Sequence, residues 1–270
     1  MNELRARIVK LPLYKKVCLA ILALYLVIAI FAPAIMPYAA SDFSHRRLAP
    51  PGRAHLLGTN ELGHDIFSLL INGFRITISL ALVAGFATTT LGTALAFISV
   101  YFGGLIDDTL HFIANLFLMV PELVVIMFVA VFAAPTLSNT VIAIVLFSWV
   151  RVYKIVRAKL LDCLKKDRVI YTLSLKGNFL DVARVLAPDV LPIWGSFFVI
   201  QCNRAVMYET TLSFFGIGDP LAKPWGKLIK SAMDYSNLYY DNVFLWYLLP
   251  PVLVVLGFVI CLALLVTQEE

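Results

Sequence analysis

Apolar and polar residues separate into long blocks along this chain. Residues 17–35, 69–101, 109–132, 140–156, 193–214 and 243–266 are dominated by Leu, Ile, Val, Phe and Ala. The runs are continuous, without the strict alternation of a barrel strand, so each predicts a helix rather than a strand. Each is long enough, or nearly so, to cross about 30 Å of hydrocarbon. The intervening segments 38–68 and 215–242 are polar and rich in Pro and Gly, and two short turns lie at 102–108 and 133–139. The first run exceeds the 7–15 residues of a signal-peptide core, and Pro33 to Pro37 makes a poor cleavage site, so it reads as an uncleaved span.

The longest polar interval, 151–192, differs in kind. It holds nine basic residues: Arg151, Lys154, Arg157, Lys159, Lys165, Lys166, Arg168, Lys176 and Arg184. Leucines and valines recur among them at spacings of three and four, a helical period. Five more cations, Arg5, Arg7, Lys10, Lys15 and Lys16, precede the first run, so these two regions hold most of the 22 Lys/Arg. Short basic loops stay on the cytosolic side, which orients all six spans. Segments 1–16 and 157–192 are then cytosolic, 38–68 and 215–242 are external, and both chain ends are inside. Acidic Asp107 and Asp108 sit in an inner turn, where carboxylates weigh little.

Composition strengthens this picture. The 270 residues are 61% hydrophobic and 14% charged, with a mean hydropathy of +0.88. A soluble domain carries about 25% charge. The net charge of +5 is accounted for by the loops, so it does not point to nucleic acid. Cys18, Cys163, Cys202 and Cys261 have no paired spacing, and His45, His55, His64 and His111 lack the spacing of a metal cluster. No phosphate-binding G-x-x-x-x-G-K-[ST] loop occurs, and no nucleophile–base set or ion filter is visible. An intramembrane enzyme or a channel is therefore the weaker alternative.

Several motifs align in order with one family. His55-Leu-Leu-Gly58-Thr59-Asn60-Glu61-Leu62-Gly63-His64-Asp65 resembles the "H-x-L-G-T-D-x-L-G-R-D" stretch of the second permease subunit of oligopeptide, dipeptide and nickel ABC importers. Gly73-Phe-Arg75, Tyr101-Phe-Gly103-Gly104-Leu-Ile-Asp107, Pro121, and Glu209-Thr-Thr-Leu212-Ser213-Phe214 followed by Pro224-Trp225-Gly226 are similar to further motifs of that family. Two features depart. Asn60 and His64 stand where the motif has Asp and Arg, and segment 167–177 lacks the family's Glu-Ala-Ala while keeping Gly177.

The resemblance implies an all-α integral membrane protein, a type I ABC importer permease with six transmembrane helices and a cytosolic coupling-helix loop. It implies a transport subunit of the bacterial inner membrane rather than an enzyme. ATP and Mg would be bound by partner subunits, and this chain would hold no cofactor. The implied partners are a second homologous permease, two ATP-binding subunits and an extracytoplasmic substrate-binding protein, with membrane lipid around them. Peptides are the first expectation for substrate, and nickel or a metal chelate is the alternative.

Candidate site residues follow. Tyr171, Thr172, Leu173, Ser174 and Gly177 are placed by the resemblance on the helix that docks on the ATPase, with Tyr171 and Leu173 as apolar anchors and Lys165 to Arg168 as a polar rim. A basic helix resting on anionic lipid is the plain alternative. Gln201, Asn203, Arg204 and Glu209 lie in the fifth run, where polar groups are costly and line a path or a structural network. Glu209 near the outer end has a third reading, capping backbone or reaching solvent. Gly58, Thr59, Gly63 and Asp65 shape the outer loop, and Gly85 and Gly92 read as close-packing positions between helices.

Overall fold

The computed structural model describes residues 12–175, 177–240 and 242–267, without the side chain of Leu173. Among these residues the regular structure is helical, apart from an isolated bridge between Thr59 and Asp65. Ten helices follow one another: α1 Leu13–Ile35, α2 Ile66–Phe102, α3 Gly104–Leu118, α4 Glu122–Phe132, α5 Leu137–Cys163, α6 Asp167–Ser174, α7 Phe179–Phe214, α8 Trp225–Asp234, α9 Val243–Tyr247 and α10 Leu249–Val266.

Four of them, α1, α2, α7 and α10, are long and apolar enough to cross a membrane. The third expected span is not one rod. α3 and α4 bend by 87° at Met119–Pro121 and count as a fifth crossing only if taken together. Proline explains the break: Pro121 has no N–H to donate and pushes Val120 out of helical geometry. The last expected span is also divided, into α9 and α10, at Leu248, just before Pro250 and Pro251. α5 is long, but its second half carries Arg151, Lys154, Arg157 and Lys159 and falls outside that group.

The chain divides into two compact units. One comprises residues 82–134 and 138–202. Its core is Trp149, Val152, Tyr153, Val156 and Leu160 of α5, Ala96 of α2, Ala114 of α3, Val169 of α6, and Val182, Leu186 and Val190 of α7. The near-helical period read in the basic interval thus produces a buried stripe, with charge on the other face. Gly85 and Gly92 allow close approach, as expected. A Cβ at Gly85 would lie 2.6 Å from the Cys202 sulfur, and one at Gly92 would lie 2.7 Å from the Trp149 carbonyl oxygen.

The other unit comprises 1–81, 135–137 and 203–270. Here α1 packs along α10, and Tyr25 donates to the Val254 carbonyl at 2.9 Å. The rings of Tyr25, Phe74, Trp225 and Phe258 form an aromatic cluster with centroids 4.9–6.1 Å apart. Gly73 lies against the face of Trp225, where a Cβ would come within 2.4 Å of the ring.

One test addresses packing. Gly92→Val forces a side chain against Trp149 and Val152 and should cost about 1–3 kcal/mol. Gly195→Ala, inside α7 with nothing within 4 Å of the new Cβ, should keep or raise stability, by up to about 1 kcal/mol. Thermal unfolding of the two variants in detergent would separate them.

Candidate functional site

The basic interval folds around α6. α5 ends at Cys163, Leu164 to Lys166 turn, and α6 starts at Asp167. Val169 is fully buried in the core described above and seats the helix. Two cations hold its start: Lys166 donates to Asp189 Oδ1 at 2.9 Å, and Arg168 bonds Oδ2 of the same carboxylate. Lys166 and Arg168 were expected as the rim of a docking face. Both are exposed and share one acid of α7, which ties the loop to that helix.

The exposed residues are mixed: Lys165 to Arg168 and Ser174 are polar, and three are large and apolar. Ile170 is 53% exposed, Tyr171 66% and Leu175 65%. Tyr171, expected as an apolar anchor, is thus among the exposed residues. Ile170 and Leu175 join it, although the sequence reading did not single them out. The Leu173 side chain lies outside the described residues. Thr172 and Ser174 turn their hydroxyls back onto their own helix, to the carbonyls of Arg168 at 2.8 Å and Tyr171 at 2.7 Å. Gly177 closes the turn. Its N–H donates to the Thr172 carbonyl at 2.9 Å, and a Cβ there would sit 2.8 Å from that oxygen and 2.7 Å from the Thr172 methyl. Next, Asn178 and Asp181 cap α7 reciprocally, each side-chain oxygen taking the other's backbone N–H at 3.0 Å.

A second cluster joins α2, α3 and α5. Arg157 donates through Nε to Asp107 Oδ1 at 2.6 Å and through Nη2 to Oδ2, a two-point pair. Ser99 donates to Asp107 and lies 2.9 Å from the Tyr153 hydroxyl. The acid that broke the charge pattern is thus the partner of a loop cation. Nearby, Lys154 donates to Asn115 Oδ1 at 2.5 Å, and Ser148 donates to Glu122. No local spacing signals these pairs, since the partners are 26 to 50 residues apart.

The four polar residues of α7 have distinct surroundings. Gln201 is buried and donates to the Ser148 carbonyl at 3.0 Å. The Asn203 side-chain oxygen is buried without a hydrogen-bond partner among the described residues. Arg204 and Glu209 do not pair. Arg204 donates to the Tyr208 hydroxyl at 2.6 Å, while Glu209, 1% exposed, accepts from Ser213 at 2.6 Å and from Thr77 at 3.3 Å. Glu209 is thus neither solvent-exposed nor a backbone cap.

The segment before α2 is tied by its motif residues. Gly58 and Gly63 have φ of +71° and +88°, which glycine alone adopts freely. Thr59 donates to the Arg46 carbonyl at 2.6 Å and accepts from the Ala49 N–H at 2.8 Å. Asp65 caps α2 through the Ser68 N–H at 2.8 Å and meets His55 Nδ1 at 2.9 Å. Asn60 accepts from the Leu62 and His64 N–H groups at 3.0 and 2.8 Å. His64 is buried, with Nδ1 2.7 Å from the Asp42 carbonyl and Nε2 3.0 Å from the Lys223 ammonium. Burial holds this ring below the usual imidazole range, and the Lys223 charge adds to the effect.

Long apolar helices, polar groups buried within them and an anchored basic loop define a multi-pass helical membrane protein. Residues 88–268 match the family described as binding-protein-dependent transport system inner membrane component, and the chain belongs to it. It is 30% identical to the oligopeptide transport system permease protein OppC of Bacillus subtilis, over 82% of this chain and 73% of that protein. It is 27% identical to the dipeptide transport system permease protein DppC of Haemophilus influenzae, over 88% and 82%. It is also 27% identical to the DppC of Alkalihalophilus pseudofirmus, over 80% and 72%. The chain is therefore a transport permease subunit of an inner membrane, and its work requires partner subunits.

Two results are expected. Asp107→Asn strips Arg157 of its counter-charge and should cost about 2 kcal/mol. The double variant Asp107→Asn/Arg157→Gln should regain part of that loss in the thermal midpoint. The second concerns pH. A ring held below its free value, about 6.5, favours the fold above that value and withdraws the support as pH falls through the lower one. Limited proteolysis of segment 38–65 should therefore quicken on acidification, and His64→Gln should flatten the dependence.

Proposed function

We propose that this chain is a permease subunit of an ATP-driven peptide importer and that α6 is its contact with the ATP-binding subunits. The observation that carries the reading is the face of Ile170, Tyr171 and Leu175, apolar and exposed on a helix that buried Val169 and the Asp189 clamp hold in place. A lone exposed hydrophobe is ordinary, but three on a rigidly seated helix in a charged loop suit a protein partner. Anionic lipid would draw on unneutralised cations, yet Lys166 and Arg168, though exposed, share the counter-charge of Asp189.

On this reading the basic loop is cytosolic, α5 and the bent α3–α4 pair complete six crossings, and segments 38–65 and 216–242 are external. A second permease, two ATP-binding subunits and an external binding protein complete the assembly. Gln201, Asn203, Arg204 and Glu209 belong to the path or its walls. ATP hydrolysis, carried out elsewhere, moves α6 and switches the side on which the path opens. The named relatives carry dipeptides or oligopeptides in their titles, which supports peptides over nickel. The histidines add nothing for nickel, since His55 and His64 are committed to Asp65, the Asp42 carbonyl and Lys223.

Cysteine crosslinking tests the contact. Tyr171→Cys and Leu175→Cys should link to the ATP-binding subunits in membranes, whereas cysteines at Arg151 and Lys159 should not. Links only at the latter pair would move the contact off α6. Removing a central anchor commonly costs 2 kcal/mol or more, so Tyr171→Ala should reduce recovery of those subunits roughly thirtyfold and abolish uptake.

A further inference from the structure

A small pocket of about 80 Å³ lies in the unit that holds the external segments, lined by Asn60, His64, Lys223, Lys227 and Ser231 around Leu228. Its polar groups are arranged in one sense. The Asp42 carbonyl can only accept, so His64 Nδ1 carries the ring proton and Nε2 accepts from Lys223. The ring is neutral. The Lys223 ammonium gives a second N–H to the Ala40 carbonyl at 2.8 Å. Lys227 gives its own to the carbonyls of Pro220 and Ala222. These acceptors are all neutral, and among the described residues neither lysine pairs with a carboxylate. An ammonium has three N–H groups, so one on each lysine remains. Asn60 has spent its oxygen on two backbone N–H groups, and its side chain also meets the Tyr247 hydroxyl, so it adds no free acceptor to the pocket.

Two ammonium groups, partly desolvated and close enough to repel, therefore face a space without an acid in its lining. Burial lowers both lysines from their usual range; Lys227 lowers Lys223 further, while Asp219, outside this lining, offsets part of the effect on Lys227. Such an arrangement is unfavourable while empty and favourable around an anion. A water takes about 30 Å³ of liquid volume, so the space suits a carboxylate group rather than a whole peptide. We propose that this pocket is a carboxylate site, and, resting on the peptide-transport reading, that the carboxylate is the free terminus of a peptide substrate.

The test has two arms. In the first, the purified full-length chain in detergent is treated briefly with an amine-reactive reagent, and labelling of each lysine is read by mass spectrometry. N-acetylglycine should slow labelling of Lys223 and Lys227 saturably and leave Lys230 unaffected, while N-acetylglycinamide should do nothing. Lys227→Arg should keep the protection of Lys223, and Lys227→Met should remove it. Equal effects of acid and amide, no protection, or protection by inorganic phosphate alone would overturn the carboxylate site. In the second arm, uptake of a peptide is compared with that of its carboxyl-amidated form in the intact transporter. Lys227→Met should lower the ratio of free to amidated uptake about tenfold, the scale of losing one partner of a charged contact. An unchanged ratio with protection intact would assign the pocket to a free anion and overturn its role in substrate recognition. Loss of all peptide uptake in the parent transporter would instead refute peptide transport and leave the first arm standing.

Discussion

Hydrocarbon is about 30 Å thick, and α2 and α7 are much longer. Their 37 and 36 residues extend about 55 Å at 1.5 Å per residue. Each must therefore leave the lipid at one end or both, and the surplus turns need a polar or protein environment. The chemistry of the chain collects there. The surplus of α7 supplies Asp181 for its own cap and Asp189 for the cations that hold α6. The surplus of α2 supplies Ser99, which joins Asp107 and Tyr153. Spans that merely fitted the membrane would have nothing to hold a loop with.

Charge placement follows from the same constraint. A basic loop beside a membrane carries many cations that attract anionic lipid. In this protein Arg157, Lys166 and Arg168 are tied to carboxylates of the chain itself, two of the three to one acid. The two exposed pairs on Asp189 add little stability, whereas the Arg157–Asp107 pair is largely buried. Their effect is directional: Arg157 turns inward, while Lys166 and Arg168 bend onto Asp189 yet stay exposed beside Ile170, Tyr171 and Leu175. Val169, Gly177 and the Asn178–Asp181 cap fix the shape of the loop.

Hydropathy in the sequence made the lipid-crossing segments legible because burial in hydrocarbon selects residue type over a whole run. It hid the breaks within them, because an average over a run is blind to a missing N–H. Pro121, Pro250 and Pro251 were visible, but their consequence depends on backbone geometry. The glycine positions were readable as close contacts, since only glycine fits at Gly92 against Trp149. Tyr171 was found through its motif, whereas Ile170 and Leu175 needed the seating of Val169 to be seen as one face. The Asp107–Arg157 and Asp189 pairs were beyond reach, because partners 21 to 50 residues apart have no spacing rule.

The buried polar groups of α7 show how far a sequence argument about a path can go. Arg204 and Glu209 fit equally a path and a structural network when read as letters. In the fold, Glu209 accepts two hydroxyls, one from α2 and one from its own helix, and is shut from solvent. Beside it Trp225 packs on α2 with its indole N–H donating to the Leu70 carbonyl at 3.3 Å, and Gly226 sits against Thr210 so closely that a Cβ would come within 2.4 Å of its carbonyl. Glu209 is therefore enclosed where α2, α7 and α8 meet. A carboxylate in such a place contributes specificity of packing more than contact with a passing solute. Arg204 differs, donating to the Tyr208 hydroxyl and only partly buried. Of the two ionisable residues, Glu209 is the one shut into a contact between helices, and Arg204 the one that keeps some exposure.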